Sequence, residues 1–547
     1  MAFVLYADAD MYPARQEATI DGGTSSLSTR DELWWGFVPF VVTIALTWSA
    51  SVDDSFITLR YAANVVNGHG LVFNPGTPVQ GFTSPLHLLV AIVAYALPTS
   101  LALFKLKLFS LFFAALTVHQ AAQLLRCCDL PRWTARIAMA ACGANWMLAV
   151  AGGNALETSL LMWCIMVSAT CLIRRQGRDV LWASLASAAA VIARLDATVL
   201  VVAMGAMALL LAPREQRRRF LGPVAAPIAA ALATVVAATA IFGSPFPSTY
   251  YAKKHGLWSS LRLGWHYFWH LGGVVHTADI NGWWLVKIQI FLAVALVLSV
   301  IVSRRDAIVL ILATAAVTQY AVAIYVGGDW MVGGRFVAPV ALLAIAATVR
   351  SASHGSWPSF LPRPRFAGVV TLTLLAASFL PVAANLHPVT KIHGVNDAQL
   401  LEVGGHRFFS HWWVELERAT RCLPPHRVVA TSEVGYLGFE RLDLTIVDVR
   451  GLNDMAIAKS ALSRYKSFFG VADPFWSFPR DAVGRVLIAR HPDLIIEIDG
   501  WPFTHALGGT YRRIRSVGSG GPLYNFYVPV HAPAPRCVMN YHFRRAQ

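Results

Sequence analysis

Charged side chains are scarce in this 547-residue chain: they make up 14% of it, whereas hydrophobic residues make up 56%. Ordinary soluble domains carry about 25% charged residues, so the composition excludes a soluble globular protein. Long apolar stretches recur between Leu33 and Leu386. Because a helix needs roughly 20 mainly apolar residues to cross a bilayer, the sequence predicts a polytopic membrane protein.

Acidic residues are the rarer charge, with 30 Asp and Glu against 45 Lys and Arg, and the formal net charge is +15. The basic clusters are short and lie between apolar segments, which is typical of cytoplasmic loops and argues against nucleic-acid binding. These clusters are RCCDLPRWTAR at 126–136, RRQGR at 174–178, REQRRR at 214–219, RRD at 304–306 and RPR at 363–365. Residues 1–32 have no apolar core, so we expect a cytoplasmic N-terminal segment and no cleavable signal peptide.

Cysteine is also sparse, and the spacing of the seven cysteines does not specify a metal site. Five of them lie in or beside apolar segments, where Cys usually acts as a small apolar residue. Cys422 and Cys537 lie in the C-terminal region and would be able to pair in an oxidising compartment, which the sequence leaves open. No cofactor is specified, and a requirement for a divalent cation stays open because no carboxylate spacing defines metal ligands.

The apolar stretches predict eleven spans with a cytoplasmic N-terminus. They lie at about 33–50, 103–124, 134–151, 156–174, 180–194, 195–212, 222–242, 284–303, 307–325, 335–350 and 367–386. The basic loops then fall on one side, as the positive-inside rule requires. Segment 86–97 is too short to cross, so we assign it to the outer surface, within an outer loop at 51–102. The short spans at 180–194 and 195–212 meet at IARLDA and resemble two half-length helices beside an outer cavity.

The last 160 or so residues differ in character from the rest. β-Branched runs such as LTIVDVRGL and PDLIIEID, bounded by Gly, Pro and Asp, are typical of strands. Between them, RDAVGRVLIARH has helical spacing. We therefore expect three parts: a cytoplasmic segment at 1–32, a transmembrane domain at 33–386, and an extracytoplasmic α/β domain at 387–547.

Specific polar residues gather in the loops that this topology places outside. Ionisable residues at the membrane edge are candidates for a functional site. For Arg194 and Asp196, a structural ion pair between the two is an equally good interpretation. Carboxylates suit a general base or a metal ion, and basic residues suit a phosphate. The ionisable candidates on this side are Asp53, Asp54, Glu157, Arg194, Asp196, Lys253, Lys254, Asp329 and Arg335. A lipid-phosphate donor whose headgroup lies at the outer interface would explain the mixture.

The outer-loop motif DDSFITLRYAANVVNGHGLVFNPGTPVQGFTSPLH resembles the first outer loop of integral-membrane glycosyltransferases of the GT-C class. It is most similar to the subgroup with the mycobacterial terminal β-(1→2)-arabinofuranosyltransferase and related pilin and lipopolysaccharide transferases. Five further motifs resemble those of this subgroup and occur in the same order along the chain. They depart from it at Ala155, Leu195 and Ser248, where the subgroup has Gly, Pro and Asn. They are ALETSL, ARLDA, GSPFPSTYYAKK, GGDWMVGGRFVAP and IVDVRGLNDMAIA.

The resemblance implies an inverting enzyme at the periplasmic face of a bacterial inner membrane. A carboxylate of the acidic pair would deprotonate an acceptor hydroxyl on a glycan or glycoprotein, and the sugar would come from a polyprenyl phosphate such as decaprenyl-phosphoryl-arabinose. It favours Asp53 as the base, with Asp54 positioning the acceptor or exchanging roles. The implied donor-phosphate ligands are Lys253, Lys254, Arg335, Arg194 and His69, and the implied sugar or acceptor contacts are Glu157, Asp196, Asp329, Tyr250 and Trp330.

Two alternatives remain open at this stage. The same architecture would serve for another lipid-linked sugar, such as mannose or an aminosugar, because the sequence does not separate furanose from pyranose. A transporter of lipid-linked sugars would show polar residues at mid-membrane depth and two related halves. Here the polar residues gather on one face and no internal repeat is visible, so the enzyme is favoured.

Overall fold

The chain folds as a long helical part followed by a small α/β part. The computed structural model describes residues 27–48, 52–98, 101–253, 257–270, 281–328, 334–357, 363–384, 407–462, 480–498, 507, 509–517 and 524–541. Within these ranges, the strands that pair into a sheet all follow residue 427. The predicted fold class, a helical multi-pass protein with a C-terminal α/β domain, is confirmed.

The helical part begins with α1 (Thr29–Asp31), a π-helical segment (Glu32–Phe37) and α2 (Val38–Thr47), which continue one another. The helices that follow are α3 (Asp53–Val66), α4 (Pro85–Ala96), α5 (Ala102–Cys127), α6 (Arg132–Gly143), α7 (Trp146–Gly153), α8 (Thr158–Arg174), α9 (Asp179–Ala193), α10 (Ala197–Leu210), a 3₁₀ segment (Arg214–Leu221), α11 (Gly222–Phe242), α12 (Ser248–Ala252), α13 (Leu257–His270), α14 (Asn281–Val302), α15 (Ala307–Val326), α16 (Ala338–His354) and α17 (Arg363–Ala384). Each of the eleven predicted spans coincides with one of these helices or with consecutive ones.

Four helical segments in the described part of the chain are long and apolar enough to cross a membrane. They are Ala102–Cys127, Arg132–Gly153, Arg214–Phe242 and Ala307–Val326, and several shorter apolar helices accompany them. Exposed large hydrophobic residues along these helices, such as Phe112, Leu232 and Val236, are what lipid contact requires. A multi-pass membrane protein is therefore supported, and the number of eleven spans stays a prediction.

Two of the basic loops lie together at one end of the helical bundle. Glu32, at the start of the first span, accepts hydrogen bonds from Arg126 (2.8 Å) and His119 (2.6 Å). At the same end, Arg350 pairs with Asp306 at 2.8 Å and donates to the carbonyl of Cys128. The loops at 126–136 and 304–306 and the end of α16 are thus held side by side, as the predicted topology requires.

The acidic pair lies at the start of α3, and the apolar segment assigned to the outer surface forms α4. The twelve residues of α4 span about 18 Å, so this helix is too short to cross the bilayer core. It packs against α3 and α5. The two half-length helices α9 and α10 meet at Arg194–Asp196, as the sequence predicts.

The C-terminal part is built on a five-stranded mixed sheet. Its elements are α18 (Arg407–Thr420), β1 (Val428–Thr431), α19 (Gly435–Glu440), β2 (Thr445–Asp448), α20 (Met455–Leu462), α21 (Arg480–Arg490), β3 (Leu494–Ile498), β4 (Tyr511–Val517), β5 (Tyr524–Pro529) and α22 (Arg536–Asn540). The strand order is β2-β1-β3-β5-β4, in which β1 is parallel to β2 and β3 while β5 is antiparallel to β3 and β4. Helix α19 packs against α3 of the helical part, and its Tyr436 and Leu437 share an apolar core with Val429 and Ile446 of the sheet.

Cys422 and Cys537 form a disulfide that joins the end of α18 to α22, with Cα atoms 5.6 Å apart. A crosslink that closes a loop of this length stabilises a domain by about 2–5 kcal/mol. We expect the Cys422→Ser/Cys537→Ser double variant to show a lower thermal midpoint of unfolding. Peptide mapping of the wild type without reductant should find the two cysteines linked; free thiols at both positions would contradict the pairing.

Candidate active site

Asp53 and Asp54 open helix α3, and their environments differ because successive helical residues point about 100° apart. The Asp53 carboxyl accepts hydrogen bonds from the backbone amides of Gly435 (2.7 Å) and Tyr436 (2.8 Å), in the first turn of α19. Only 7% of Asp53 is exposed. Both oxygens of Asp53 are therefore occupied by the C-terminal domain.

Burial raises the pKa of Asp53 to about 8, and the nearby Glu433 and Asp54 carboxylates act in the same direction, against the two amide donors. Glu433 is itself held by Trp413, whose indole N–H donates to it at 2.8 Å. The Asp53 carboxyl is therefore enclosed by residues of the C-terminal part of the chain.

The Asp54 side chain faces a basic neighbour and solvent. An oxygen of Asp54 lies 3.9 Å from the Arg335 guanidinium, and 24% of the Asp54 side chain is exposed, against 11% of Arg335. Arg335 comes from the loop before α16, within the GGDWMVGGRF motif. An accessible carboxylate beside a mostly buried guanidinium is the pairing that a general base and an anionic leaving group require.

A second charged group lies beside this pair and contains three of the predicted site residues. Arg194 donates to Glu157 at 2.8 Å and makes a two-point contact with Asp196, at 2.9 Å for each bond. The guanidinium of Arg194 lies 4.5 Å from the centre of the Phe336 ring, and that of Arg335 lies 5.9 Å from it. The structure therefore brings Asp54, Arg335 and the Glu157–Arg194–Asp196 group to one place, which we call the charged cluster.

Ala155, just before Glu157, adopts a φ of +57°. This left-handed conformation is one that glycine adopts at little cost, which gives the physical reason for the glycine that the resembling pattern has here. The backbone carbonyl of Ala155 faces the Nε2 atom of buried His87 at 3.1 Å. The conformation turns the chain so that Glu157, the N-cap residue of helix α8, faces Arg194.

Three further predicted site residues lie on other elements, after the far end of α3 and in α12 or directly after it. His69 is exposed and follows the far end of α3, about 20 Å of helix away from Asp53. Tyr250 packs against Phe246 with ring centres 4.7 Å apart, and Lys253 directly follows the same short helix, α12. Lys254, Asp329 and Trp330 lie outside the described residues, so their predicted roles stay predictions.

Sequence reasoning missed the role of Arg60, which belongs to the outer-loop motif. Its guanidinium is buried and donates to backbone carbonyls at Phe73, Gly438, Arg441 and Leu444 and to the side chain of Asn74. An Arg within the apolar stretch FITLRYAA was the available signal, because a cation buried there needs several acceptors. Three of its five acceptors, however, come from residues almost 400 positions later: Gly438, Arg441 and Leu444.

Metal binding has no strong candidate among these groups. Within the described residues, no three or more His, Cys, Asp or Glu side chains are placed to hold a metal ion together. The carboxylates of the charged cluster instead contact guanidinium groups, so the arrangement is suited to bind an anion and to accept a proton.

A helical membrane bundle with a charged cluster at one end, packed against an α/β domain, is the GT-C architecture. Solved structures show the same fold: ArnT from Cupriavidus metallidurans in the apo state is 14% identical and has a TM-score of 0.51, covering 89% of this chain and 96% of that one. The Archaeoglobus fulgidus oligosaccharyltransferase in the apo form is 11% identical with a TM-score of 0.51, covering 93% and 76%. The chain therefore has the GT-C fold.

Two further comparisons concern particular parts and partners. ArnT from Cupriavidus metallidurans bound to undecaprenyl phosphate matches with 13% identity and a TM-score of 0.47, over 89% of this chain and 96% of that one. A family model described as a domain of unknown function, DUF8728, matches residues 395–528. No curated protein sequence matches the chain significantly.

Proposed function

We propose that this protein is a membrane glycosyltransferase that moves a sugar from a polyprenyl phosphate to a hydroxyl group of a glycan or glycoprotein. The observation that carries the proposal is the accessible Asp54 carboxylate beside Arg335 at one end of a GT-C bundle. Apolar helices supply the surface along which a polyprenyl chain packs. ArnT, which has this fold, is a protein that binds undecaprenyl phosphate, a lipid of the proposed donor class.

The proposed reaction needs one base and one cation. Asp54 takes the proton of the acceptor hydroxyl, and the oxygen attacks the anomeric carbon from the face opposite the phosphate. The bond between that carbon and the phosphate oxygen breaks, and polyprenyl phosphate leaves with the electron pair, so the configuration inverts. Arg335 offsets the charge on the leaving phosphate, since a guanidinium suits two-point binding of a phosphate.

The other predicted site residues have supporting roles in this proposal. Asp196, whose side chain is 23% exposed, faces sugar hydroxyls, and the buried Glu157 supports the cluster through Arg194, which binds both carboxylates. Tyr250 offers an exposed ring for a sugar face, and Lys253 and Lys254 are the further phosphate ligands in this proposal. Asp329 and Trp330 belong to the same motif as Arg335.

We place the charged cluster on the periplasmic side of a bacterial inner membrane. Two of the basic loops lie at the other end of the bundle, which the positive-inside rule assigns to the cytoplasm. The Cys422–Cys537 disulfide supports this orientation, because disulfides persist in oxidising compartments. The proposed parts are a cytoplasmic segment at 1–32, a catalytic transmembrane domain at 33–386 and an extracytoplasmic domain at 387–547.

Arabinofuranose is the sugar that we propose, on the strength of the outer-loop motif. The test is to incubate the purified protein in detergent with decaprenyl-phosphoryl-arabinose and an oligo-arabinoside and to follow the products by mass. Parallel reactions use a polyprenyl-phosphoryl mannose and an aminosugar donor, each with and without EDTA. A pentose added to the acceptor supports arabinose, an added hexose or aminosugar reassigns the donor, and no transfer from any donor overturns the transferase.

A further inference from the structure

Helices α3 and α19 lie side by side, and two charged residues of α3 contact the two ends of α19. Asp53 accepts hydrogen bonds from the amides of Gly435 and Tyr436, which open α19. Arg60, seven residues later, donates to the carbonyls of Gly438 and Arg441, at the end of α19. Seven residues of helix span about 10 Å, so the spacing of Asp53 and Arg60 matches the length of α19.

The chemistry of each residue matches the helix end that it contacts. The first amides of a helix lack acceptors and its last carbonyls lack donors; the Asp53 carboxyl supplies the acceptors and the Arg60 guanidinium the donors. A positive group at a carboxyl-terminal end is also favoured by the helix dipole. Arg60 is fully buried, so its charge depends on these carbonyls and on Leu444, which accepts at 2.8 Å.

The close approach of the two helices is built into the sequence. A Cβ atom on Gly435 would lie 2.0 Å from the backbone oxygen of Asp53, so only glycine fits there. A second attachment lies one loop away, where the Asn74 side chain accepts from the amide of Ile446 (3.0 Å) and donates to its carbonyl (2.8 Å). This is how a neighbouring strand residue would pair with the edge of β2.

We propose that Asp53 and Arg60 form a clamp that fastens the C-terminal domain onto α3, and that Asp53 is thereby a positioning residue while Asp54 takes the proton. Fixing Asp53 fixes the first turn of α3 and so the direction of the Asp54 side chain toward Arg335. The C-terminal domain then contributes to catalysis by holding the start of the outer loop in position. The catalytic part of this inference rests on the proposed function, and the contact between α3 and α19 does not.

The test combines hydrogen exchange with kinetics. Amide exchange in the peptide covering 435–440 is measured by mass spectrometry for wild type, Asp53→Asn, Arg60→Met and the control Asp129→Asn, which lies at the basic end. The clamp predicts exchange about tenfold or more faster in the first two variants, because the amides open more often, and wild-type exchange in the control. Unchanged exchange in both Asp53→Asn and Arg60→Met overturns the clamp, whether or not any sugar transfer is found.

Kinetics separate a positioning residue from a base. If Asp53 positions, Asp53→Asn lowers kcat by about 10- to 100-fold, keeps the acidic limb of the pH profile and is partly rescued by Asp53→Glu. If Asp53 is the base, Asp53→Asn abolishes the acidic limb and lowers kcat by about 10²–10⁴-fold, the usual contribution of a general base. Amide exchange at 435–440 then stays unchanged. That combination overturns the positioning role. Gly435→Ala tests the same contact with both carboxylates intact and should also speed exchange; wild-type exchange in that variant contradicts the clamp.

Discussion

An Asp54→Asn variant should lose about 10²–10⁴-fold in kcat, the usual contribution of a general base, while its thermal midpoint stays within a degree or two of the wild type. The carboxylate is partly exposed, and the contact with Arg335 is long at 3.9 Å. A partly exposed ion pair contributes on the order of 1 kcal/mol or less to stability. The variant therefore removes the proton acceptor without removing a support of the fold.

The measurement is the initial rate of sugar transfer at saturating donor and acceptor, across a range of pH. Asp129→Asn is the matched control, because it makes the same change at the basic end, where Asp129 adopts a φ of +47° that Asn tolerates. The control should retain wild-type kcat. An Asp54→Asn enzyme with unchanged kcat and an intact acidic limb would move the base to another carboxylate.

The sequence located the acidic pair but did not separate its members. Two adjacent aspartates after an apolar span are equivalent in sequence, and the family resemblance favoured Asp53. What distinguishes them is the contact of Asp53 with Gly435 and Tyr436, across 382 and 383 positions. No local pattern encodes a contact of that separation, so the roles that we assign to the two carboxylates depend on the fold.

Much of the membrane part was predictable because hydrophobic length and charge bias are local properties. The helices coincide with the predicted spans, and α4 is short, as the length of its apolar segment requires. The arrangement of the sheet was not predictable in this way. Strand β5 lies between β3 and β4, an order that depends on which edges are covered rather than on the strand sequences themselves. Cys422 and Cys537 likewise pair because α18 and α22 meet.

Arg194 is the case in which the sequence left two roles open, a phosphate ligand or a packing partner. Its charge is already matched by Glu157 and Asp196, through three hydrogen bonds of 2.8–2.9 Å. The side chain of Glu157 is 5% exposed and that of Arg194 is 7% exposed. Little of the guanidinium is left for a phosphate, so we assign Arg194 a structural role within the charged cluster.

An Arg194→Met variant should therefore be destabilised by about 3–5 kcal/mol, because removing one partner leaves a buried charge without compensation. The methionine keeps much of the volume beside Phe336 but cannot donate to either carboxylate. The thermal midpoint in detergent should fall clearly, and transfer activity should fall with the folded fraction. A variant that keeps the wild-type midpoint but shows a raised KM for the donor would instead make Arg194 a phosphate ligand.

A double-mutant cycle gives the sharper test. The Glu157→Gln variant removes one carboxylate. The Glu157→Gln/Arg194→Met variant removes both partners of the more deeply buried ion pair and leaves the charge of Asp196, whose side chain is 23% exposed. Arg194→Met leaves the Glu157 carboxylate buried without its partner, and the double variant no longer has that carboxylate. The loss of stability in the double variant should therefore be smaller than the sum of the two single losses, by about 0.5–3 kcal/mol for residues in direct contact. Additive losses would mean that the Glu157–Arg194 contact contributes nothing to stability. A non-additive loss would show that Glu157 and Arg194 stabilise the charged cluster through their direct contact, in the protein without substrate, and that result would support the structural role that we assign to Arg194.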